Sequence, residues 1–226
     1  MKPYRNLAET RTPDGTLFSL HEHDGRIYLK NDRRELMSTS LTYSEQLLAD
    51  VGCTFLKGKR PKHPRVFIGG LGLGFTLKRI LEIIGRPATV EVAELVPEII
   101  EWNRTFLAEH NGPLLEDERT VIHLADAFNR LNKARKSSFD AILLDIDDTP
   151  ESLITPQNSR LYTPAFLQTI RRALTPTGTV TFWLAEPTPR FLKTLRAAKF
   201  RVEEIPAKQH EHSKRARHCL YVCHKT

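Results

Sequence analysis

Residues 66–75 read Val-Phe-Ile-Gly-Gly-Leu-Gly-Leu-Gly-Phe, and residues 90–94 read Val-Glu-Val-Ala-Glu. Both segments have the apolar character of a buried strand, and the first runs into a glycine turn that precedes a helical pattern. The glycines let the backbone approach a ligand that a Cβ atom would exclude, and the following helix presents free N–H groups. Glu94, at the tip of the second strand, can accept both hydroxyls of a ribose. The two segments together predict a nucleoside pocket.

The glycine spacing indicates which nucleoside is bound. A dinucleotide fingerprint needs G-x-G-x-x-G or A, but the third position is Phe75 when counted from Gly70 and Leu77 when counted from Gly72. The spacing Gly70-x-Gly72-x-Gly74 is instead that of enzymes that bind S-adenosylmethionine-type nucleosides, where no pyrophosphate is cradled. The alternative is a turn that only allows close packing of strand and helix, and the acidic strand tip argues against it.

Length and composition predict one large core. The chain has 226 residues, of which 40% are hydrophobic, so we expect a catalytic nucleoside-binding domain over 56–226 and an appendage over 1–55. The first residues lack an apolar signal region, and no apolar run approaches the length of a membrane span. We therefore expect a cytoplasmic protein without a membrane partner. The three cysteines form no C-x-x-C pair and are expected to be buried thiols.

The net charge of +7 comes partly from two basic runs, at 57–65 and 212–218, both in predicted loops. Such patches can attract an anionic partner, including RNA. Neither run has the interleaved aromatic residues that stack on bases, so solvated loops are favoured. A nucleic-acid-binding module without chemistry stays as an alternative function. A metal site at His210, His212 and His218 is a further alternative, with solvated histidines as the simpler account.

The pattern along the chain predicts an α/β fold. Residues 16–30 alternate around Asp24-Gly25 as a β-hairpin, and Ser40 to Val51 has helical spacing. From Arg65 onward strands and helices alternate. The predicted strands are 66–68, 89–93, 121–124, 139–144, 178–184, 201–205 and 218–222. The predicted helices are 75–84, 97–107, 127–133, 163–174 and 188–198. This order predicts a doubly wound, mostly parallel seven-stranded sheet of the Rossmann-like class I methyltransferase type, closed by an antiparallel pair.

Carboxylates follow three successive strands, at Glu94, Asp126 and Asp145. Ligands of open α/β sheets bind outside the carboxyl ends of the strands, so these side chains are candidates for the site. Each one alone could be a helix N-cap, but three at successive tips beside the glycine loop favour joint use. Asp126 is placed to accept the N–H of a purine amine.

Two more carboxylates, Asp147 and Asp148, crowd the rim at Asp145. Such crowding is costly unless a cation or hydrogen-bond donors compensate it, and a cationic ligand fits this rim. The spacing lacks the His or Cys ligands of a transition-metal site, and we expect no metal; a magnesium site remains an alternative.

Four of these segments together resemble the polyamine aminopropyltransferase (spermidine synthase-like) family. They are 68–74, 90–94, 125–127 and 145–150. The resemblance covers roughly residues 27–185, with weaker matches at 41–45, against a Tyr-Gln-Glu segment, and at 161–166. Members of that family transfer an aminopropyl group from decarboxylated S-adenosylmethionine to putrescine or spermidine.

The resemblance also implies roles for individual residues. Asp145 would orient and deprotonate the attacking amine, and Asp148 would hold the cationic end of the acceptor. Glu94 would bind the ribose, and Asp126 the adenine amine. The residues expected to bind the nucleoside are Gly69, Gly70, Gly72, Gly74, Glu94, Leu95, Asp126, Ala127 and Asp145.

One departure from the family pattern affects the choice of donor. The family's loop typically reads Gly-Gly-Gly-Asp-Gly, and its aspartate contacts the aminopropyl ammonium, whereas this chain has Gly72 at that place and Ser44 in place of the glutamine. The loop is similar to that of ordinary methyltransferases, whose donor carries a carboxylate. We therefore predict S-adenosylmethionine-dependent methyl transfer to a small acceptor. The alternative is aminopropyl transfer from decarboxylated S-adenosylmethionine to a polyamine.

The acceptor side is assigned to three side chains. Asp145 is the expected base, and Tyr43 and Tyr162 are expected to close the acceptor side, with ordinary half-buried tyrosines as the alternative. The acceptor is a small molecule, in the family a polyamine. A homodimer is expected because an N-terminal hairpin of this kind often pairs between subunits of the family.

Overall fold

The chain forms two β-sheets, which the computed structural model describes over residues 4–12, 15–32, 34–58, 60–210, 212–213 and 215–226. The first sheet is antiparallel and contains β1 (Arg5–Arg11), β2 (Leu17–His23), β3 (Arg26–Asn31) and β4 (Arg34–Ser38). The second sheet contains β5 (Arg65–Gly69), β6 (Thr89–Glu94), β7 (Thr120–Leu124), β8 (Phe139–Leu144), β9 (Leu174–Leu184), β10 (Phe200–Ala207) and β11 (His218–Lys225).

The order of the second sheet is β10-β11-β9-β8-β5-β6-β7. Strand β5 lies in its middle and pairs in parallel with both β6 and β8. The chain runs outward from β5 to β7 and then returns to β8, so the strand order reverses between β5 and β8. Strand β11 inserts antiparallel between β9 and β10. The predicted doubly wound sheet is confirmed, and the reversal opens a crevice at the carboxyl ends of the strands.

Seven α-helices accompany these strands in the described part of the chain. They are α1 (Tyr43–Gly52), α2 (Phe75–Ile84), α3 (Pro97–Arg104), α4 (Ala108–Asn111), α5 (Ala127–Asn132), α6 (Pro164–Ala173) and α7 (Pro189–Ala197). A proline begins α3, α6 and α7, where its missing N–H costs nothing. The predicted helix over 97–107 is shorter than expected, because the chain turns after Arg104 and restarts as α4.

The N-terminal sheet extends the predicted hairpin. Strands β2 and β3 pair around Asp24-Gly25, as the alternation predicted, but β1 and β4 add two edge strands that the sequence did not reveal. Both edge strands are rich in polar residues, and exposed residues alternate or mix with half-buried ones along them. They therefore lack the one-sided apolar pattern that identifies a half-buried strand.

The N-terminal sheet and the larger sheet share one hydrophobic core. Phe18 and Leu20 pack in the same buried cluster as Leu48 of α1 and Leu143 of β8. A Cβ atom on Gly52 would lie 2.9 Å from Leu143 Cδ2, so α1 packs tightly against the sheet. This shared core fixes the N-terminal sheet over the carboxyl ends of the parallel strands; the boundary after residue 55 stays a prediction.

Several further predictions concern residues outside the crevice. Cys53, Cys219 and Cys223 are buried and unpaired, as expected. In the two basic runs, Lys59 and Lys214 lie outside the described residues. Within the described ranges no group of three or more His, Cys, Asp and Glu side chains is arranged to hold a metal ion. No helix there combines the length and apolar character needed to cross a bilayer.

Candidate active site

A cavity of about 1060 Å³, including its open mouth, lies at the carboxyl ends of β5, β6, β7 and β8. The N-terminal sheet covers it from one side with Phe18, Leu29 and Met37, and Leu95 and Phe128 contribute apolar surface elsewhere. This is the place where the strand order reverses, which is where open α/β sheets bind their ligands.

The glycine loop forms one wall of this cavity through Gly70 and Gly72. Both residues have positive φ, at +89° and +52°. A Cβ atom on Gly70 would lie 2.5 Å from the backbone oxygen of Asp145, and one on Gly72 would lie 2.5 Å from Met37 Sδ. Glycine is required at position 70, where the backbone of Asp145 leaves no room for a Cβ, whereas a side chain at position 72 would have to displace the end of Met37.

Gly69 and Gly74, also predicted to bind the nucleoside, are not among the lining residues. Gly69 ends β5, and a Cβ atom there would approach Leu144 Cδ2 to 2.7 Å. Gly74 precedes α2 with φ at +85°, and its Cβ would lie 2.7 Å from Asn103 Oδ1. Gly69 and Gly74 therefore fit the alternative interpretation of the glycine turn, in which glycine allows close packing of strand and helix.

Glu94 lies at the bottom of the cavity and is buried. Its two oxygens accept backbone N–H groups, from Leu71 at 2.9 Å and from Val96 at 2.8 Å. Burial raises the pKa of the carboxyl, while the backbone donors act in the opposite direction. The N–H groups of Leu95 and Gly72 also act on this carboxyl, so donors from the glycine loop and from the segment after β6 converge on Glu94 where it lines the cavity.

Asp126 lines the far end of the cavity but has partners within the chain. Its Oδ1 accepts the N–H of Asn129 at 2.9 Å and caps α5, and its Oδ2 pairs with Arg160 at 2.7 Å. The guanidinium of Arg160 also lies 4.5 Å from the ring centre of Phe128. Asp126 is thus an N-cap, and its charge is offset by Arg160. Ala127 and Leu95 line the same end, and Leu95 is 52% exposed.

Asp145 follows β8 and faces the cavity. Its carboxyl has no hydrogen-bond donor among the described residues, and removal from water together with the nearby charge of Glu45 raises its pKa to about 8. Glu45 is itself buried on the cavity wall, where it accepts a hydrogen bond from Ser44 Oγ at 2.6 Å. A carboxyl in this state gains and loses its proton near pH 8 and can act as a base when it is ionised.

Asp147 is occupied by its own chain. It is buried, and it accepts hydrogen bonds from the backbone N–H of Ile154 at 2.7 Å, from Asn158 Nδ2 at 2.8 Å and from Tyr162 Oη at 3.1 Å. Burial raises the pKa of Asp147, and these donors act in the opposite direction. Asp147 therefore holds the loop that follows β8 in place through hydrogen bonds within the chain.

Asp148, the predicted holder of a cationic acceptor, forms an ion pair with Arg34 of β4. The Asp148 side chain is 15% exposed and the Arg34 side chain 56%. The backbone oxygen of Asp148 accepts the N–H of Ala185 at 2.7 Å, which ties this loop to the end of β9. The cavity thus presents an already neutralised carboxylate at the position that the family resemblance assigned to cation binding.

Neither predicted tyrosine lines the cavity. Tyr43 begins α1 and is half-buried outside it, whereas Glu45, two residues later, is on the wall. Tyr162 donates to Asp147 and packs edge-on against Phe191, with ring centres 5.1 Å apart. Their side chains fit the alternative of ordinary half-buried tyrosines.

The sequence alone did not select Met37, Glu45 and Trp183, which are among the residues that line the cavity, or Arg34, which pairs with Asp148. The segment around Glu45 did carry a signal, since it resembled the family's Tyr-Gln-Glu segment, but Tyr43 was selected from it. Arg34 and Met37 lie on a strand that the pattern did not show. Trp183 sits in the apolar run of β9, where nothing marks one residue as facing a cavity.

We expect Gly70→Ala to destabilise the protein more than Gly15→Ala. The two glycines have nearly the same φ, +89° and +90°, but a Cβ on Gly15 meets nothing within 4 Å. Both variants carry the backbone strain of about 1–2 kcal/mol, and only Gly70→Ala adds a clash with the Asp145 carbonyl. Thermal unfolding of the two variants isolates that clash, and equal melting temperatures would contradict this loop geometry.

Comparison with curated proteins gives sequence relatives, although no protein-family model matches this chain. Polyamine aminopropyltransferase 1 from Streptomyces coelicolor is 31% identical over 179 residues, which are 78% of this chain and 30% of that protein. The polyamine aminopropyltransferase of Mycobacterium tuberculosis is 33% identical over 207 residues, covering 88% and 36% respectively. The chain therefore spans about a third of the length of these relatives.

Comparison with solved structures gives the same fold. A spermidine synthase in complex with the transition-state analogue AdoDATO has a TM-score of 0.74 at 19% identity, covering 98% of this chain and 73% of its own. The spermidine synthase from Thermotoga maritima has a TM-score of 0.73 at 20% identity, with the same coverage. Human methyltransferase-like protein 13 in complex with SAH has a TM-score of 0.58 at 18% identity, covering 83% and 82%.

Proposed function

We propose that this chain, which belongs to the spermidine synthase-like family with a class I methyltransferase-like fold, is a transferase that moves an aminopropyl group from decarboxylated S-adenosylmethionine to an amine. One observation carries the proposal: Gly70, Glu94 and Asp145 line the same cavity. They supply a close backbone approach, a hydroxyl acceptor and a proton acceptor. The names of the curated relatives support aminopropyl transfer over the methyl transfer that the sequence alone favoured.

The lining residues fit an adenosyl nucleoside. Gly70 and Gly72 leave the space that a Cβ would fill, and Glu94 presents a carboxylate to the cavity while it accepts backbone N–H groups. Leu95 and Phe128 provide apolar surface for a flat base. These residues would hold the nucleoside, with Asp126 as the candidate acceptor for the purine amine in spite of its pairing with Arg160.

Asp145 would act as the base. The donor nucleoside supplies an electrophilic carbon bonded to a sulfonium. The amine nitrogen of the acceptor forms a bond to that carbon while the carbon–sulfur bond breaks, and the electron pair of the broken bond stays on sulfur. The proton lost by the amine goes to the carboxylate of Asp145, whose raised pKa of about 8 lets it accept a proton from an ammonium. Glu45 would support this role because its charge contributes to the raised pKa.

Methyl transfer stays as a second candidate because of Gly72. The family's typical loop has an aspartate here for the aminopropyl ammonium, whereas in this chain the position has no side chain and Met37 Sδ occupies the adjoining space. The side chain of Met37 fills the space that an aspartate side chain at position 72 would need. This observation favours a donor that does not need that counter-charge.

A single experiment separates the two candidates. The purified protein is incubated with each nucleoside and with amine acceptors, and mass spectrometry determines whether the acceptor gains an aminopropyl or a methyl group. The proposal expects an aminopropyl product with decarboxylated S-adenosylmethionine. A methyl product with S-adenosylmethionine, and none with the decarboxylated donor, would establish the second candidate in its place.

The rate should depend on pH through Asp145. Because its pKa is raised to about 8, the carboxyl is mostly protonated at neutral pH and cannot accept a proton. We expect kcat/KM for the donor nucleoside, whose pH profile reports the unliganded enzyme, to rise with pH and to level off above about 8. The Asp145→Asn variant should lose this inflection, and a wild-type profile that is flat between pH 6 and 9 would contradict the assignment.

A further inference from the structure

The wall of the candidate active site is acidic. Within the described part of the chain, its lining residues include six carboxylates and no lysine, arginine or histidine. Two carboxylates, Glu45 and Asp145, have no basic side chain as a partner among the described residues. The other four already bind arginines or hydrogen-bond donors of the chain, and they are Glu94, Asp126, Asp147 and Asp148.

Glu45 carries the negative charge of this unpaired set. It lies in the first turn of α1 and is 5% exposed. Burial raises its pKa, whereas the hydroxyl of Ser44, at 2.6 Å, and the backbone N–H of Glu45 itself act in the opposite direction. The positive end of the helix dipole also favours the ionised form.

Asp145 is the uncharged member of the pair at neutral pH. Burial and the nearby charge of Glu45 raise its pKa to about 8, so it keeps its proton there. The two carboxyls together therefore carry about one negative charge. A buried charge without a counter-ion is costly, and one cationic group in the cavity would remove that cost.

The donor of the proposed reaction brings such a group, because its aminopropyl chain ends in an ammonium. The glycine loop offers this ammonium no counter-charge, since Gly72 has no side chain and Met37 Sδ lies 2.5 Å from where its Cβ would be. Met37 and Glu45 line the same cavity. The chain that carries the ammonium starts at the sulfur, which the proposed function places toward Asp145, the residue whose pKa responds to Glu45.

We propose that Glu45 binds the aminopropyl ammonium of the donor and thereby selects the decarboxylated nucleoside over S-adenosylmethionine. This inference rests on the proposed function and adds the residue that distinguishes the two donors. S-adenosylmethionine has a carboxylate on the carbon that carries its ammonium, and Glu45 repels that carboxylate. An ammonium that donates to a buried carboxylate forms a charge-assisted hydrogen bond, which is stronger where water is excluded.

The test uses three unreactive thioethers that share the adenosyl group and differ in the second substituent on sulfur. Methylthioadenosine carries a methyl group, decarboxylated S-adenosylhomocysteine carries the aminopropyl group, and S-adenosylhomocysteine carries the amino acid. Isothermal titration calorimetry at neutral pH gives their affinities. We expect wild type to bind the aminopropyl thioether roughly tenfold to a hundredfold more tightly than either of the others.

Three variants locate the source of this preference. Glu45→Gln keeps an acceptor for Ser44 Oγ but removes the charge, and it should lose the preference while its affinity for methylthioadenosine stays unchanged. Glu35→Gln is the matched control, because Glu35 is exposed and lines a neighbouring cavity but not the candidate active site. Glu35→Gln should keep the preference, and so should Asp145→Asn, because Asp145 is protonated at neutral pH.

A preference that survives Glu45→Gln, or that disappears in Asp145→Asn, would overturn the inference. Equal wild-type affinities for methylthioadenosine and the aminopropyl thioether would also overturn it, while the nucleoside assignment would stand. If Glu45→Gln raised the KM of the acceptor amine and left the preference intact, Glu45 would belong to the acceptor side and the inference would fail. Absence of methylthioadenosine binding to wild type would remove the proposed function itself, and this inference with it.

Discussion

Glu94→Ala is expected to weaken binding of the adenosyl nucleoside by at least about a hundredfold. The carboxylate would accept both ribose hydroxyls, and hydrogen bonds to a charged group contribute roughly 1.5–3 kcal/mol each. The same substitution leaves the N–H groups of Leu71 and Val96 without their acceptors, which loosens the glycine loop on which the ligand lies. Isothermal titration calorimetry with the decarboxylated donor measures the loss.

Glu101→Ala is the matched control for that loss. Glu101 is exposed on α3, the helix that follows Glu94 in the chain. Its nearest ionic partner is Arg104 at 3.6 Å. Removing it takes away the same charge without touching the cavity, so affinity should be unchanged. Thermal unfolding establishes that Glu94→Ala is still folded. Equal affinities of the Glu94→Ala variant and wild type would remove Glu94 from the binding site.

Asp145→Asn is expected to reduce the transfer rate by about a hundredfold to ten-thousandfold, the usual contribution of a positioned base. The amide has nearly the same shape but cannot accept the proton of the acceptor amine. Nucleoside affinity should change far less, because Glu94 and the glycine loop carry the binding. Single-turnover kinetics with preloaded nucleoside separate the two quantities, and an unaltered rate would show that another group is the base.

The same variant should be more stable than wild type in alkaline solution. In the folded protein the pKa of Asp145 is raised from 3.8 to about 8, so the folded state holds its proton more tightly than the unfolded state does. The free energy of unfolding contributed by this group therefore falls as pH rises from about 4 to about 8. Asp145→Asn removes that loss, and we expect its melting temperature to exceed that of wild type at pH 8 and above. A lower melting temperature there would contradict the desolvated state of this carboxyl.

Much of the fold was predictable because the central strands are buried on both faces. The runs that became β8 (Phe139–Leu144) and α2 (Phe75–Ile84) were predicted with their observed bounds. Strand β8 is apolar except for Asp140, and α2 begins directly after a glycine with positive φ. Edge strands β1 and β4 were missed because half of each faces solvent and carries charged residues.

The candidate site was predictable where topology alone places a residue. Glu94 ends β6 and Asp145 follows β8, the two strands on either side of β5, so the reversal of strand order brings them to one cavity. The positions of Asp126 and Asp148 at this edge of the sheet were also predicted. Their ion pairs with Arg160 and Arg34 were not, because those arginines lie far from them in the sequence. Sequence patterns do not show such ion pairs. The ion pairs decide whether a carboxylate attracts a cation or is already neutralised.

The structure of the protein crystallised with decarboxylated S-adenosylmethionine tests the central claim most directly. We predict the nucleoside in the cavity over Gly70 and Gly72, with both ribose hydroxyls donating to Glu94 and the sulfonium facing Asp145. A nucleoside bound elsewhere, or one in this cavity without contact to Glu94, would contradict the account.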